Sequence, residues 1–212
     1  MVGYDWGATN AWYLCLVRPD RVKRLVNATT TWLLRNLERK PDESIRAMFG
    51  DDYYICRFQE PGVAEDDSAK ADIAKLIQLL LTGRLTKPLE QRQVELPSWL
   101  TEDDINYNAI QFSRTGFTGG LNCYPCLDLN ELSLLWIGAR IEVPVKFMMG
   151  DLDLTYHIPG VKNYIYDGEF KQAMPNLEEV VVMEGVAHFL QQEKSREVTA
   201  HIHDFIKKFS SL

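Results

Sequence analysis

Segments with the composition of β-strands occur only near the two ends of this chain. In chain order they are Val22–Val26, Ile141–Met149 and Glu179–Met183. Helical spacing of apolar residues occurs beside them, at 8–18, 161–170 and 198–209. Strands that alternate with helices predict an α/β fold with a parallel sheet.

The middle of the chain has a different character. Between Thr30 and Trp136, amphipathic stretches such as Ile73–Leu81 alternate with Pro and Gly residues. Thr101 followed by Asp104 resembles a capping box and predicts the start of another helix. We therefore predict a sheet-based core at 1–29 and 137–212 that carries an inserted helical cap at 30–136.

Composition and charge exclude several classes of protein. The chain has 46% hydrophobic and 25% charged residues, which is ordinary for a globular protein. No basic stretch interrupts the formal net charge of -7, which argues against a nucleic-acid partner. No apolar run reaches the roughly 18 residues that a membrane helix needs, so no membrane association is expected.

The cysteine content and the two termini bear on localisation. The sequence has 4 cysteines, which is few for a secreted scaffold and suits a reducing compartment. No secretory signal is recognisable near Met1. We expect a cytoplasmic protein; Ser210-Ser211-Leu212 only loosely resembles the peroxisomal Ser-Lys-Leu signal, which leaves the peroxisome as the alternative.

The first chemical motif is Gly3-Tyr4-Asp5-Trp6-Gly7, which leads directly into a predicted helix. It has the Gly-x-nucleophile-x-Gly form of a nucleophile elbow, with Asp in the usual place of Ser. The strained turn is expected to exclude bulk at both Gly3 and Gly7, and the helix N-terminus favours a carboxylate. Alone, the motif also fits a surface turn.

Two further motifs follow predicted strands. Gly150-Asp151-Leu152-Asp153 comes after the second strand, and Gly185-Val186-Ala187-His188 comes after the third. Groups at the carboxyl ends of parallel strands lie where α/β folds place their sites. The order nucleophile, acid, histidine is that of an α/β-hydrolase triad, which would consist of Asp5, Asp153 and His188.

The sequence closely resembles the plant soluble epoxide hydrolases over nearly the whole chain. The three motifs above carry the resemblance, together with Trp12–Leu16, Arg18–Val22, Phe58–Gly62 with Tyr54 upstream, and Thr115–Gly119. The Phe-Gln-Glu-Pro-Gly run with its upstream tyrosine is specific to this family and its near relatives. The resemblance implies an α/β-hydrolase fold with a helical cap.

The resemblance also implies a mechanism without cofactor or metal. Asp5 would attack a carbon of a small-molecule epoxide while Tyr54 and Tyr124 donate hydrogen bonds to the epoxide oxygen. His188, held by Asp153, would then activate the water that releases a vicinal diol. The backbone of Trp6 would donate to the oxyanion, and its side chain would line the substrate pocket. No oligomeric state is predicted.

The chain departs from this family at several positions. Relatives have several strands and a His-Gly-x-Pro turn before the elbow, whereas this chain begins at Met1. We therefore expect a fold that lacks its N-terminal strands, and an impaired or inactive truncated homologue as an alternative, since losing one oxyanion donor costs ~10²–10³ in rate. Tyr4 stands where relatives usually have His. Pro125 replaces the usual Arg after Tyr124, and it favours a break in the helix that holds this tyrosine.

Three other interpretations were weighed. A haloalkane dehalogenase shares the Asp nucleophile and the following Trp but has no use for paired tyrosines. Cys123-Tyr-Pro-Cys126 has the C-x-x-C form of a redox motif, but it lies in the helical segment and no second pair completes a zinc site. Asp151-x-Asp153-x-Thr155 matches a phosphatase motif whose first Asp needs Mg²⁺, but Gly150 separates Asp151 from the strand.

Overall fold

The structure is a computed structural model that describes residues 1–32, 39–82, 95–127 and 138–209. Trp136, where the predicted cap ends, and the terminal Ser210-Ser211-Leu212 lie outside these residues. The described residues fall into two compact units, 1–32 with 138–209 and 39–82 with 95–127. We propose that the second unit is the helical cap.

Strands and helices alternate at the two ends of the chain. In chain order the elements are β1 (Val2–Tyr4), α1 (Trp6–Val17), β2 (Leu25–Ala28), α2 (Pro41–Phe49), α3 (Tyr54–Arg57), α4 (Val63–Lys70), α5 (Ile73–Thr82), α6 (Glu102–Thr115), α7 (Thr118–Leu121), β3 (Val145–Gly150), α8 (Val161–Tyr166), α9 (Glu169–Ala173), β4 (Leu177–Met183), α10 (Leu190–Glu193) and α11 (Ser195–Lys208). Short 3₁₀ turns lie at Pro19–Arg21 and Leu154–His157. Among the described residues, no helix is long and apolar enough to cross a membrane.

The sheet of the first unit is parallel throughout, with strand order β1-β2-β3-β4. Gly3 pairs with Asn27, which pairs with Phe147, which in turn pairs with Val180. This confirms the predicted parallel α/β sheet. Because all four strands run the same way, their carboxyl ends meet at one edge.

Several predicted boundaries differ from the observed ones: the strand predicted at Ile141–Met149 runs from Val145 to Gly150, and the strand predicted at Glu179–Met183 begins at Leu177. The strand predicted at Val22–Val26 runs from Leu25 to Ala28, because the 3₁₀ turn extends to a hydrogen bond from the Val22 N–H to the Pro19 carbonyl at 3.3 Å. The single helix predicted over 161–170 is split into α8 and α9. Gly168, with φ of 90°, makes the break, in a conformation that glycine adopts without strain.

The core of the first unit lies on both faces of the sheet. Along β3, Phe147 packs into the cluster that includes Trp12 of α1 and Phe170 of α9. Its neighbour Met148 packs into the other cluster, with Phe205 of α11. Successive strand side chains point to opposite faces, so the apolar run Phe147–Met149 in β3 matches a strand that is covered on both sides.

All the secondary-structure elements that the structure describes in the second unit are helices. The predicted capping box of α6 is confirmed: the Asp104 N–H donates to Thr101 Oγ1 at 3.2 Å, and the Thr101 N–H donates to Asp104 Oδ2 at 3.0 Å. Its buried apolar cluster consists of Ile77 of α5, Leu100 just before α6, and Ile105 of α6. The middle of the chain therefore holds its own small core.

Gly3 is required by the close packing of β1 against α1 and β2. A Cβ atom at this position would lie 2.2 Å from Asn27 Oδ1 and 2.9 Å from Ala11 Cβ. Asn27 is fully buried and fixed, since its Nδ2 donates to the Ala8 carbonyl at 2.9 Å. A Cβ on Gly7, in contrast, would meet no described atom within 4 Å. The expectation that both glycines exclude bulk is therefore confirmed for Gly3 and wrong for Gly7.

We predict that Gly3→Ala lowers the free energy of unfolding by about 1–3 kcal/mol, because the added methyl group overpacks a rigid contact. The matched control is Gly7→Ala, which leaves stability unchanged or raises it by up to about 1 kcal/mol, since Ala is the better helix former. Urea denaturation of the three proteins measures both effects. Equal destabilisation by the two substitutions would contradict this account of the turn.

Candidate active site

Asp5 occupies a strained turn between β1 and α1. Its backbone has φ of 53° and ψ of -125°, a conformation that is rare for a residue with a side chain. The Asp5 N–H donates to Thr29 Oγ1 at 3.2 Å and to the Ala28 carbonyl at 3.3 Å. The Asp5 carbonyl accepts from the N–H groups of Ala8 and Thr9 in the first turn of α1. The carboxylate is thus presented at the carboxyl end of β1, beside a helix N-terminus.

Asp153 lies just beyond the carboxyl end of β3 and is fully buried. Its Oδ1 accepts a hydrogen bond from the Thr155 N–H at 2.9 Å, which caps the following 3₁₀ turn. Its Oδ2 lies 3.1 Å from His188 Nδ1. The two oxygens are therefore held by separate partners, and the second fixes one nitrogen of the imidazole.

His188 follows β4 and bridges the two carboxylates. Its Nδ1 faces Asp153, and its Nε2 lies 3.3 Å from Asp5 Oδ1. The side chain of Asp5 is 40% exposed and that of His188 is 25% exposed, whereas that of Asp153 is inaccessible. The structure thus brings together the three residues of the predicted triad, with accessibility increasing from the acid to the candidate nucleophile.

The hydrogen bonds that join His188 to Asp5 and Asp153 favour the charged forms of His188 and Asp5. Burial lowers the pKa of His188, but its hydrogen bonds to Asp153 and Asp5 outweigh burial and raise the pKa to about 9. Burial also raises the pKa of Asp5, yet the hydrogen bond and charge of His188 leave it below its ordinary value, with a further contribution from the Trp6 backbone. At neutral pH Asp5 is therefore ionised and His188 is protonated.

The loop that carries His188 is held by contacts that the sequence motifs do not indicate. Asp151 Oδ1 accepts from the Gly185 N–H at 2.7 Å, and both carboxylate oxygens of Glu193 lie 3.1 Å from the Ala187 nitrogen. A Cβ atom on Gly150 would lie 2.1 Å from the Val186 carbonyl oxygen, so β3 and this loop are in close contact. No sequence motif indicated that Glu193 contacts this loop. Its position five residues after His188 was the one feature of the sequence that could have suggested the contact.

Tyr4, the residue just before Asp5, packs against the imidazole of His188. Its ring centroid lies 5.2 Å from that of His188, at an interplanar angle of 47°. Burial raises the pKa of the Tyr4 hydroxyl. Tyr4 is therefore neutral and forms part of the apolar wall behind the histidine.

Tyr54 and Tyr124 lie together in the second unit. Their ring centroids are 6.2 Å apart in an edge-on arrangement, and Phe58 packs on both rings, at 5.5 Å from Tyr54 and 4.9 Å from Tyr124. The helical break favoured by Pro125 is confirmed, because α7 ends at Leu121 and Tyr124 lies beyond it. The two predicted tyrosines are therefore neighbours despite this break.

The other residues singled out in the sequence are Trp6 and the two cysteines of the C-x-x-C segment. Trp6 opens α1 directly after Asp5 and is half-buried. Cys123 and Cys126 are unpaired, and the Cys126 thiol donates to the Asn122 carbonyl at 3.4 Å. The C-x-x-C segment lies among the helices of the second unit rather than between a strand and a helix. Within the described ranges, no group of three or more His, Cys, Asp or Glu residues could hold a metal ion.

Comparison with known proteins identifies relatives over almost the full chain. No family model matches it. Epoxide hydrolase 3 of Siraitia grosvenorii is 53% identical over 99% of this chain and 70% of its own length, and epoxide hydrolase 1 of that plant is 53% identical over 97% and 68%. Epoxide hydrolase A of Mycobacterium tuberculosis is 31% identical over 97% of this chain and 67% of its own length.

Solved structures of epoxide hydrolases are also similar to this chain. An epoxide hydrolase from Vigna radiata superposes with a TM-score of 0.91 and 50% identity, covering 98% of this chain and 68% of that protein. Potato (Solanum tuberosum) epoxide hydrolase I gives a TM-score of 0.92 and 46% identity, covering 98% and 69%. The chain thus spans about 70% of the length of relatives such as epoxide hydrolase 3. With this similarity and this sheet, the chain belongs to the epoxide hydrolase family of the α/β-hydrolase fold.

Proposed function

We propose that this chain hydrolyses a small-molecule epoxide to a vicinal diol through an ester on Asp5, with water as the second substrate. The observation that carries the proposal is the hydrogen-bonded series Asp5, His188, Asp153, with distances of 3.3 and 3.1 Å. A histidine oriented by a buried acid and facing a carboxylate is suited to resolving an ester formed on that carboxylate.

In the first step Asp5 acts as the nucleophile. Its lowered pKa keeps the carboxylate ionised at neutral pH, so no base is needed to activate it. An oxygen of Asp5 bonds to one epoxide carbon while the bond from that carbon to the ring oxygen breaks. The ring oxygen needs one proton as the bond opens. We assign Tyr54 and Tyr124, whose rings are neighbours in the second unit, as its hydrogen-bond donors, and one of them transfers its proton.

In the second step water cleaves the ester. His188 Nε2, which faces Asp5 in the free protein, takes a proton from water, and the resulting hydroxide attacks the ester carbonyl of Asp5. The backbone N–H of Trp6, the first residue of α1, donates to the oxyanion that forms there. As this intermediate collapses, the departing diol oxygen takes the proton that His188 took from water, and the diol is released. The Asp5 carboxyl group then loses its own proton to become a carboxylate again, and a proton from solvent restores the tyrosine that protonated the ring oxygen.

Ester formation itself prepares His188 for its role as a base. In the free protein the pKa of His188 is raised to about 9, with Asp153 and Asp5 both contributing. Once Asp5 is an ester it carries no charge, so one of these two contributions disappears and the pKa falls. The histidine then loses its proton more readily at neutral pH, at the stage when a base is required.

We expect His188→Asn to separate the two steps. Ester formation continues, because Asp5 remains ionised, while ester hydrolysis falls by about 10²–10⁴-fold without its base. Incubation with a simple aryl epoxide should therefore raise the intact mass by the mass of the epoxide, and peptide mapping should place the addition on Asp5.

The control is His203→Asn, which changes an exposed histidine of α11 and should turn over like the unsubstituted chain. A folded His188→Asn protein that gains no mass would contradict the ester mechanism. If the unsubstituted chain also forms neither adduct nor diol, an inactive homologue becomes the better description.

We expect Tyr54→Phe to slow ester formation by about 10–100-fold, because one of the two hydrogen-bond donors to the ring oxygen is lost. The exposed Tyr107 of α6 provides the control Tyr107→Phe. Single-turnover measurement of adduct formation reports this step directly. An unchanged rate in Tyr54→Phe would contradict the role assigned to Tyr54. A haloalkane dehalogenase has no ring oxygen to protonate, so that alternative predicts turnover of a haloalkane that is nearly indifferent to Tyr54→Phe.

We place the protein in the cytoplasm. All four cysteines, Cys15, Cys56, Cys123 and Cys126, are free thiols, which matches a reducing compartment. The charge of -7 and the lack of a basic stretch support small molecules rather than nucleic acid as binding partners.

A further inference from the structure

Thr29, the residue after β2, has an unusual backbone conformation. Its φ is 68°, and of the described residues other than glycine only Asp5 shares a positive φ. For a β-branched side chain this is a genuine outlier. Thr29 is also completely buried. Strain of this kind persists only where the surroundings enforce it, and it tends to occur at functional sites.

Thr29 contacts the segments that carry the nucleophile and the acid. Its Oγ1 accepts from the Asp5 N–H at 3.2 Å, while its carbonyl accepts from the Thr155 hydroxyl at 2.6 Å. The Thr155 N–H donates in turn to Asp153 Oδ1 at 2.9 Å. A third hydrogen bond, from the Thr29 N–H to the Met148 carbonyl at 2.9 Å, anchors the residue to β3. A continuous chain of hydrogen bonds therefore runs from Asp5 to Asp153 through Thr29.

The hydrogen bond from the Asp5 N–H to the Thr29 hydroxyl is not needed to give this N–H an acceptor. The Asp5 N–H already has a backbone acceptor in the Ala28 carbonyl at 3.3 Å. The Thr29 hydroxyl adds a second acceptor and so restricts the direction of this N–H in a turn that is itself strained. In its positive-φ conformation, Thr29 directs its hydroxyl to Asp5 and its carbonyl to Thr155.

We propose that Thr29 is a positioning residue, which fixes Asp5 relative to Asp153 so that His188 can bind both carboxylates at once. The proposal rests on the proposed function for its effect on rate, but its geometric content does not depend on turnover. Loss of the Thr29 hydroxyl should let Asp5 move away from His188 while leaving the contact between His188 and Asp153 in place.

The experiment compares Thr29→Val, which keeps the shape and removes the hydroxyl, with Thr29→Ser, which keeps the hydroxyl. Thr199→Val makes the same chemical change at an exposed position of α11 and is the control. Thr155→Val breaks the second half of the connection independently, and replaces Thr29→Val if that protein does not fold. The imidazole of His188 is titrated by NMR in each protein, and adduct formation with an aryl epoxide is timed.

We expect Thr29→Val to lower the titration midpoint of His188 by roughly half a unit to one unit, because the charge of Asp5 then lies farther from the imidazole while Asp153 stays in contact. Adduct formation should slow by about tenfold or more, since small displacements of a reacting group are costly. Thr29→Ser should restore both quantities, and Thr155→Val should change them in the same direction as Thr29→Val. Tyr4, the aromatic neighbour of the imidazole, remains neutral throughout and does not alter the sign.

An unchanged His188 midpoint in both Thr29→Val and Thr155→Val would overturn the proposal, whatever happens to thermal stability, because a purely structural residue changes stability alone. Failure of Thr29→Ser to restore the midpoint would overturn it as well. If the unsubstituted chain forms no adduct, the proposed function fails, and the titration still decides the role of Thr29.

Discussion

The parallel sheet is the constraint on which the candidate site depends. β1, β3 and β4 run in the same direction, so the residues that follow them emerge at one edge although they are far apart in sequence. Asp5, Asp153 and His188 each follow one of these strands, and their side chains meet within hydrogen-bond distance. The absence of a side chain at Gly3 and Gly150 lets the strands and loops pack closely enough for these three side chains to make contact. A Cβ atom at either position would collide with its neighbours.

Burial, hydrogen bonds and charge differ among Asp5, Asp153 and His188, and so suit them to different roles. Asp153 is inaccessible and shares its oxygens between the Thr155 N–H and His188, which suits a group that holds an orientation. Asp5 is partly exposed, and His188 lowers the pKa of its carboxyl group, which suits an ionised nucleophile that must reach a substrate. The raised pKa of His188 reflects two carboxylate partners, and it is expected to fall when one of them becomes an ester. The same contact therefore stabilises the resting charges and links the two proposed steps.

Much of the fold and of the site could be predicted from local sequence patterns. The run Phe147–Met149 is apolar on both faces, which predicts a buried strand. The three motifs each follow a strand in the order of an α/β-hydrolase triad, so the sheet and the grouping of Asp5, Asp153 and His188 could be predicted. The start of β2 could not be predicted, because the 3₁₀ turn that begins at Pro19 occupies part of the apolar run. Thr29 and Glu193 were also missed, since their contacts with Asp5 and Ala187 depend on backbone geometry that no spacing encodes. Gly7 was misjudged because the motif treats both glycines alike, whereas only Gly3 faces a buried side chain.

The central claim is that Asp5 forms the ester whose hydrolysis releases the diol, and isotope transfer tests it most directly. A single turnover of an aryl epoxide with excess protein is run in water enriched in ¹⁸O, and both the diol and the peptide that contains Asp5 are weighed. Because hydroxide attacks the ester carbonyl, one ¹⁸O should enter the Asp5 carboxylate and the diol should carry none. A labelled diol beside an unlabelled Asp5 would show that water attacks the epoxide directly, which contradicts the account.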